Sequence, residues 1–363
     1  MSTADVIVIG GGIAGVSAGA EIAADASVLL LEAEPHLGYH STGRSAAIFI
    51  RNYGNATLRA LNALAAPVFE NPEGIADRSL LSPRGELLLA TEAEMTTLKE
   101  YTTGAEGLDL LSAAEAVAMV PILLQEPIAA ATYENDAQDI DVDRMLQGYL
   151  RLLRGRGGRV VTSAPVTAVT HAQGVWQVTA GGNVHSAPIV INAAGAWAGQ
   201  VGQMAGAAPI TLTPKRRSAA LLPAPDGYDT ERWPLFGSIG ETWYAKPDAG
   251  RLMVSPADAD PIEPHDAWPD DMVLAEGLHR YECAVTVPVT RVERSWAGLR
   301  TFAPDATPVV GFDTQADNFF WLAGQGGYGV QTAPALSQIV AGALRNKAVV
   351  PDALLRALSP ARF

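Results

Sequence analysis

The segment from Ala4 to Ala47 constrains the chain more than any other. Val6-Ile7-Val8-Ile9 is an unbroken β-branched run of the kind that suits a strand buried on both faces. Gly10, Gly12 and Gly15 then follow the spacing G-x-G-x-x-G, with Ile13 and Ala14 between them, and a helical stretch starts at once. A second apolar run, Val28 to Leu31, ends in Glu32-Ala33. Strand, glycine turn, helix, strand and acid in this order predict a dinucleotide site. Gly10 permits the tight turn, Gly12 lets backbone approach a pyrophosphate, and Gly15 lets the helix pack against the strand. The helix start offers N–H groups and a positive dipole end to phosphate, while Glu32 accepts hydrogen bonds from ribose hydroxyls. These residues leave open which dinucleotide binds.

Bulk properties exclude several classes. A chain of 363 residues exceeds one ordinary core, so two domains are expected. The formal charge of −14 argues against a nucleic-acid partner, since Lys215-Arg216-Arg217 is the one dense basic cluster. Cys283 is the single cysteine, which excludes a disulfide framework and a thiolate metal site, and the six histidines lack ligand spacing. No run approaches the roughly 18 apolar residues of a membrane span, and the first strand begins too early for a signal peptide. The expectation is a cytoplasmic protein with no metal.

The organisation is that of two interleaved domains. Helical patterns at 57–69, 91–101 and 112–119 surround a strand at 85–91, and Ser112 with Glu115 forms a capping box. A helix is predicted over 141–156, stopped by Gly157-Gly158, followed by strands at 159–162, 166–171 and 175–179. Gly181-Gly182-Asn183 makes a hairpin turn into a strand at 187–192, which runs into Ala193-Ala194-Gly195-Ala196-Trp197. Residues 212–302 are strand-rich with a helix over 270–283, and the end repeats the opening pattern: strand Phe319–Ala323, a glycine turn, then a helix from about Gln331. The fold class expected is α/β: a discontinuous Rossmann-like domain (1–80, 141–212, 301–363) plus an α+β substrate domain (81–140, 213–300) with a mixed or antiparallel sheet.

The fingerprint with Glu32, the loop GYHSTGRSAA at 38–47, the turn NAAGAW and the terminal GQGGYGVQTA together resemble the FAD-dependent D-amino-acid oxidase, glycine oxidase and sarcosine oxidase superfamily. The likeness covers nearly the whole chain and includes LLSPR, DIDVDRMLQGYLR, PKRRSA, YAKPDAG and WAGLR; it is greatest to the bacterial D-arginine dehydrogenase branch. It implies FAD, held non-covalently because Cys283 lies well upstream of the segment Ala297-Gly298-Leu299-Arg300. Adenosine would lie on Gly10, Gly12, Ile13, Ala14, Gly15, Glu32 and Ala33, with Val166 at the adenine. Ser41, Thr42, Gly43, Arg44, Ser45, Ala46 and Ala47 would run under pyrophosphate and flavin, and Ala194, Gly195 and Trp197 would close the cradle. Gly326, Gly327, Tyr328, Gly329, Val330 and Gln331 would bring a helix start to the flavin N1–C2=O edge.

The resemblance implies oxidative deamination of D-amino acids, with hydride passing from Cα to flavin N5, and the imino acid hydrolysing to a 2-oxo acid and ammonia. Arg217 and Arg300 match positions that take the substrate carboxylate. Tyr53 and Tyr244 flank the substrate, Tyr53 on a loop of the lid-forming kind, and Gly327 and Gln331 face the same space. Glu86 matches an acid that receives a cationic side chain, favouring D-arginine and D-lysine; the rival reading pairs it with Arg84. Ile48 and Ile50 depart from the branch, which carries His and Thr there, and leave room for apolar D-amino acids. Glycine, sarcosine or a non-catalytic flavin protein are the alternatives, and a 2-hydroxy acid is disfavoured because Ile48 provides no base. A quinone-type or other acceptor takes the electrons.

Overall fold

Val6–Ile9 is buried along its whole length because it lies inside a six-stranded sheet. The computed structural model describes residues 2–363; Met1, counted in the first segment above, lies outside them. The strand order is Arg159–Val161, Val28–Leu31, Val6–Ile9, Ile189–Asn192, Phe319–Ala323, Val309–Phe312. The first five run parallel and the last pair antiparallel. Alternate residues serve opposite cores, as the two-residue strand period requires. Val6, Val8 and Leu30 face the helices Ile13–Ile22, Val142–Gly155 and Gly329–Leu344. Ile7, Ile9, Leu29 and Leu31 face Trp176 and Val178 of a small four-stranded sheet.

A second sheet has eight strands in the order Arg294–Phe302, Thr213–Pro223, Arg251–Ser255, Tyr244–Asp248, Leu235–Ser238, Glu86–Ala90, Ala130–Glu134, Leu108–Leu111. All neighbours are antiparallel except Leu235–Ser238 beside Glu86–Ala90. The α/β class with a mixed second sheet is therefore what forms. Strand Arg294–Phe302 runs past residue 300 into the segment assigned to the first domain. A separate three-stranded sheet has the order Ile48–Phe49, Gln138–Ile140, Leu81–Pro83. Ser112 and Glu115 form the expected capping box.

One expected strand divides. Instead of a single strand over 187–192, Asn183–Ala187 completes the hairpin with Val175–Ala180, and Ile189–Asn192 enters the six-stranded sheet. Pro188 stands between them; without an N–H it cannot continue a ladder, so the chain changes sheet there. The strand Val309–Phe312 and the helix Asp352–Leu358 carried no clear signal. Among the described residues no helix is long and apolar enough to cross a membrane, and no three His, Cys, Asp or Glu side chains are placed to share a metal ion.

Candidate functional site

Two adjoining cavities lie where the six-stranded sheet meets the eight-stranded one, and Ile13, Ser41, Thr42, Gly326 and Gly329 line both. The first is the glycine cradle. Gly10 has φ +113°, and a Cβ there would stand 2.3 Å from the Ala193 carbonyl oxygen; one on Gly15 would stand 2.0 Å from Gly10 O. Both glycines are thus demanded by the protein's own packing. Gly12 differs: a Cβ would meet only Thr42 Oγ1, at 3.3 Å, and its face is open to the cavity. That is the feature a bound pyrophosphate needs. Gly11, outside the fingerprint, donates its N–H to Glu32 Oε2 at 2.5 Å, while Glu34 N–H takes Oε1 at 2.8 Å. Glu32 is fastened in place with lone pairs to spare for a ligand hydroxyl. Thr42 Oγ1 accepts from Ile13 N–H at 3.1 Å, tying the serine–threonine loop to the helix start.

Gly10, Gly12, Ile13, Ala14, Glu32, Ala33, Val166, Ala194, Gly195 and Trp197 line this cavity, joined by His40 and Met204, which the sequence did not point to. His40 packs its ring 4.6 Å from that of Trp197. Gly15, Gly43 and Tyr328 line neither cavity. Gly43 acts in the turn, where a Cβ would lie 2.6 Å from Gly38 O. Arg44 borders the second cavity, but its guanidinium is committed to the protein. It donates to the carbonyls of Ala267 (3.0 Å) and Ala297 (2.8 Å) and pairs with Asp266 at 2.5 Å. It stitches the loop to the second sheet rather than presenting free donors to a phosphate. Ala47 holds φ +57°, left-handed for a residue with a Cβ, at the cavity wall.

The second cavity brings together Ile48, Ile50, Tyr53, Glu86, Arg217, Tyr244, Arg300, Gly327 and Gln331, from six separate stretches of chain. Arg217 and Arg300 come from adjacent antiparallel strands; Arg217 faces Gly298 and Arg300 faces Lys215, so the two arginines are diagonal neighbours on one face. A Cβ on Gly298 would meet Arg44 Cβ at 3.4 Å, so the glycine lets the 41–44 loop lie close to this strand. Both arginine Nε atoms are buried and find no acceptor among the described residues. The other contacts are weak: Arg217 Nη2 is 4.0 Å from Glu241 and Arg300 Nη2 is 3.4 Å from Asp258 O. Burial, followed by the Arg217 charge, pulls the Arg300 pKa below the usual arginine value. Two like charges with unfilled donors in one cavity form a seat for an anion.

Glu86, 6% exposed, lines the same cavity. It has no pairing with Arg84, whose guanidinium turns to Asp139 at 2.7 Å. Among the described residues, the one side chain bonding Glu86 is Tyr101, whose hydroxyl donates at 3.1 Å. Burial pushes its pKa up to about 8, with a further push from Glu134, its register partner on the next strand. Tyr101 and Glu241 are wall residues that sequence reasoning missed. Glu241 occupies a turn with φ +51°, and Gly240 beside it was the sole hint. Leu88, Ile239 and Met253 supply apolar wall.

Comparison with known proteins accords with this geometry. The chain is 27% identical over 232 residues to hydrogen cyanide synthase subunit HcnC of Pseudomonas aeruginosa, covering 61% of this chain and 52% of that one. It thus matches about half of that relative's length. It is 26% identical to FAD-dependent oxidoreductase domain-containing protein 1 of Mus musculus, over 93% of this chain and 80% of the other. Glycine oxidase from Geobacillus kaustophilus shares the fold, with a TM-score of 0.87 at 22% identity over 100% of both chains. Residues 5–343 match the DAO family, described as FAD dependent oxidoreductase, so the chain belongs to that family and its cradle is built for FAD.

Proposed function

We propose that the protein oxidatively deaminates D-amino acids, favouring basic ones such as D-arginine and D-lysine, to imino acids that hydrolyse to 2-oxo acids and ammonia. The observation that carries this reading is that Arg217 and Arg300, whose buried Nε atoms have no acceptor among the described residues, line the same cavity as buried Glu86. An amino-acid carboxylate fits the guanidinium forks and relieves their mutual repulsion. The hydroxyls of Tyr53 and Tyr244 on the same walls orient its polar end. Glu86, with Tyr101 as its donor, receives the far cation, which replaces the proton held there.

FAD, when bound, supplies the acceptor for the two electrons and proton of the substrate Cα–H. Gly12, Glu32, Ser41 and Thr42 would hold its adenosine and pyrophosphate, and the start of helix Gly329–Leu344 would meet the flavin edge. Non-covalent attachment is supported by Cys283, which is exposed and lines neither cavity. A quinone-type acceptor and a cytoplasmic location complete the reading. The D preference follows from the resemblance to D-amino-acid enzymes. Ile48, Ile50, Leu88, Ile239 and Met253 in the same wall favour a second reading, in which apolar D-amino acids are substrates too.

The test is anaerobic bleaching of the purified holoenzyme's flavin by a panel of D- and L-amino acids. Bleaching by D-isomers, fastest with basic ones, is expected; bleaching by L-isomers alone overturns the reading.

A further inference from the structure

Asn62 lies within helix Ala56–Glu70 with no exposed surface, and it lines neither cavity. A buried amide at such a place is costly unless its groups find partners. Its Nδ2 reaches the carbonyls of Ile50 at 3.2 Å, Arg51 at 3.3 Å and Tyr53 at 3.2 Å. Its Oδ1 accepts from Gln331 Nε2 at 2.8 Å. Gln331, buried in the first turn of helix Gly329–Leu344, also grips Ile50: Oε1 accepts the Ile50 N–H at 3.3 Å, and Nε2 lies 3.4 Å from Ile50 O. From the other side, buried Glu134 accepts Arg51 N–H and Asn52 Nδ2, each at 2.7 Å.

The turn at 50–53 is irregular backbone with Ile50 and Asn52 buried, so its polar groups need partners. Side chains from two helices and a strand provide them. The turn carries Tyr53, whose ring packs 4.6 Å from that of Tyr328 and whose side chain lines the substrate cavity. A segment held from three directions is not free to open by itself as a lid.

We infer that Asn62 is a positioning residue for Tyr53, locking the 50–53 turn to the first turn of helix Gly329–Leu344 so that substrate contact and flavin-side helix keep one geometry. The inference rests on the substrate role given to Tyr53 in the proposed function. Asn62 acts through the turn, with no contact to substrate or cofactor of its own.

A double-mutant cycle tests it, using kcat/KM of the holoenzyme on the best D-amino acid of the panel, with flavin content and Tm measured for each variant. Tyr53→Phe and Asn62→Ala should each lower kcat/KM about tenfold, and the double variant should lose about tenfold in total, because both remove one contact. Flavin content should stay at the wild-type level. Should Asn62→Ala fail to fold, Asn62→Leu, which keeps the volume and removes the amide, should show the same non-additivity. If Tyr53→Phe costs activity and the second variant multiplies the loss to about a hundredfold, the positioning role is overturned and the substrate role of Tyr53 stands. If Tyr53→Phe costs nothing, both fall. An Asn62→Ala enzyme with unchanged kcat/KM also overturns the inference.

Discussion

The dinucleotide cradle and the substrate cavity share a wall but are built on opposite principles. The cradle is organised on the backbone of one glycine turn: Gly10 and Gly15 are fixed by clashes of 2.3 and 2.0 Å that any Cβ would create, Gly12 is left open, and Val166 with Ala194, Gly195 and Trp197 completes the wall. The cavity beside it is made of side chains from widely separated stretches, with the Nε donors of Arg217 and Arg300 left without acceptors among the described residues. A backbone cradle binds what all family members bind, whereas a cavity of side chains can change its ligand one substitution at a time. Damage to the first should therefore abolish the protein as a flavoprotein, and damage to the second should alter turnover while flavin is retained.

The largest effect is expected from Gly15→Ala. Its methyl group would overlap Gly10 O, so helix and strand must separate, costing about 3 kcal/mol or more. Flavin absorbance of the purified variant should be absent; a yellow, active Gly15→Ala protein would show that the fingerprint is not packed as described. Next comes Arg300→Ala, which removes one guanidinium from the anion seat. About a hundredfold loss in kcat/KM on every amino acid alike is expected, with flavin content unchanged. A loss confined to basic substrates would assign Arg300 to the wrong end of the cavity.

A smaller effect comes from pH. Glu86 holds its proton up to about 8, against 4.5 for an ordinary glutamate. A cationic side chain needs it ionised. The ratio of kcat/KM for D-arginine to that for D-methionine should therefore rise by up to about tenfold per pH unit and level off above about 8. Taking the ratio removes the deprotonation of the α-amine, common to both substrates. The same raised pKa predicts that the stability contributed by protonated Glu86 is full below 4.5 and lost as pH rises through about 8. Glu86→Gln should abolish that part of the decline in Tm.

The contrast also explains what could be read in advance. The cradle was legible because strand, glycines, helix and Glu32 are contiguous and each has a local physical task. Several strands of the two large sheets followed from apolar runs and turn chemistry, although Pro188 was passed over and one strand became two. In the cavity, Arg217, Arg300, Tyr53, Tyr244 and Glu86 emerged through motif resemblance; no spacing rule joins residue 86 to residue 300. Tyr101 and Glu241 lay outside those motifs, and only the packing of the second sheet brings them to the wall. Arg44 shows the converse. Its type and loop suited a phosphate, yet Asp266 and two carbonyls, all more than two hundred positions away, claim its guanidinium.

The most direct measurement compares wild type with Glu86→Leu on D-arginine, D-lysine, D-leucine and D-methionine by kcat/KM at fixed pH. A buried acid that selects cations predicts a loss of about a hundredfold on the two basic substrates, little change on the two apolar ones, and full flavin content. Equal losses on both pairs would contradict the account, because Glu86 would then support the cavity rather than choose what enters it.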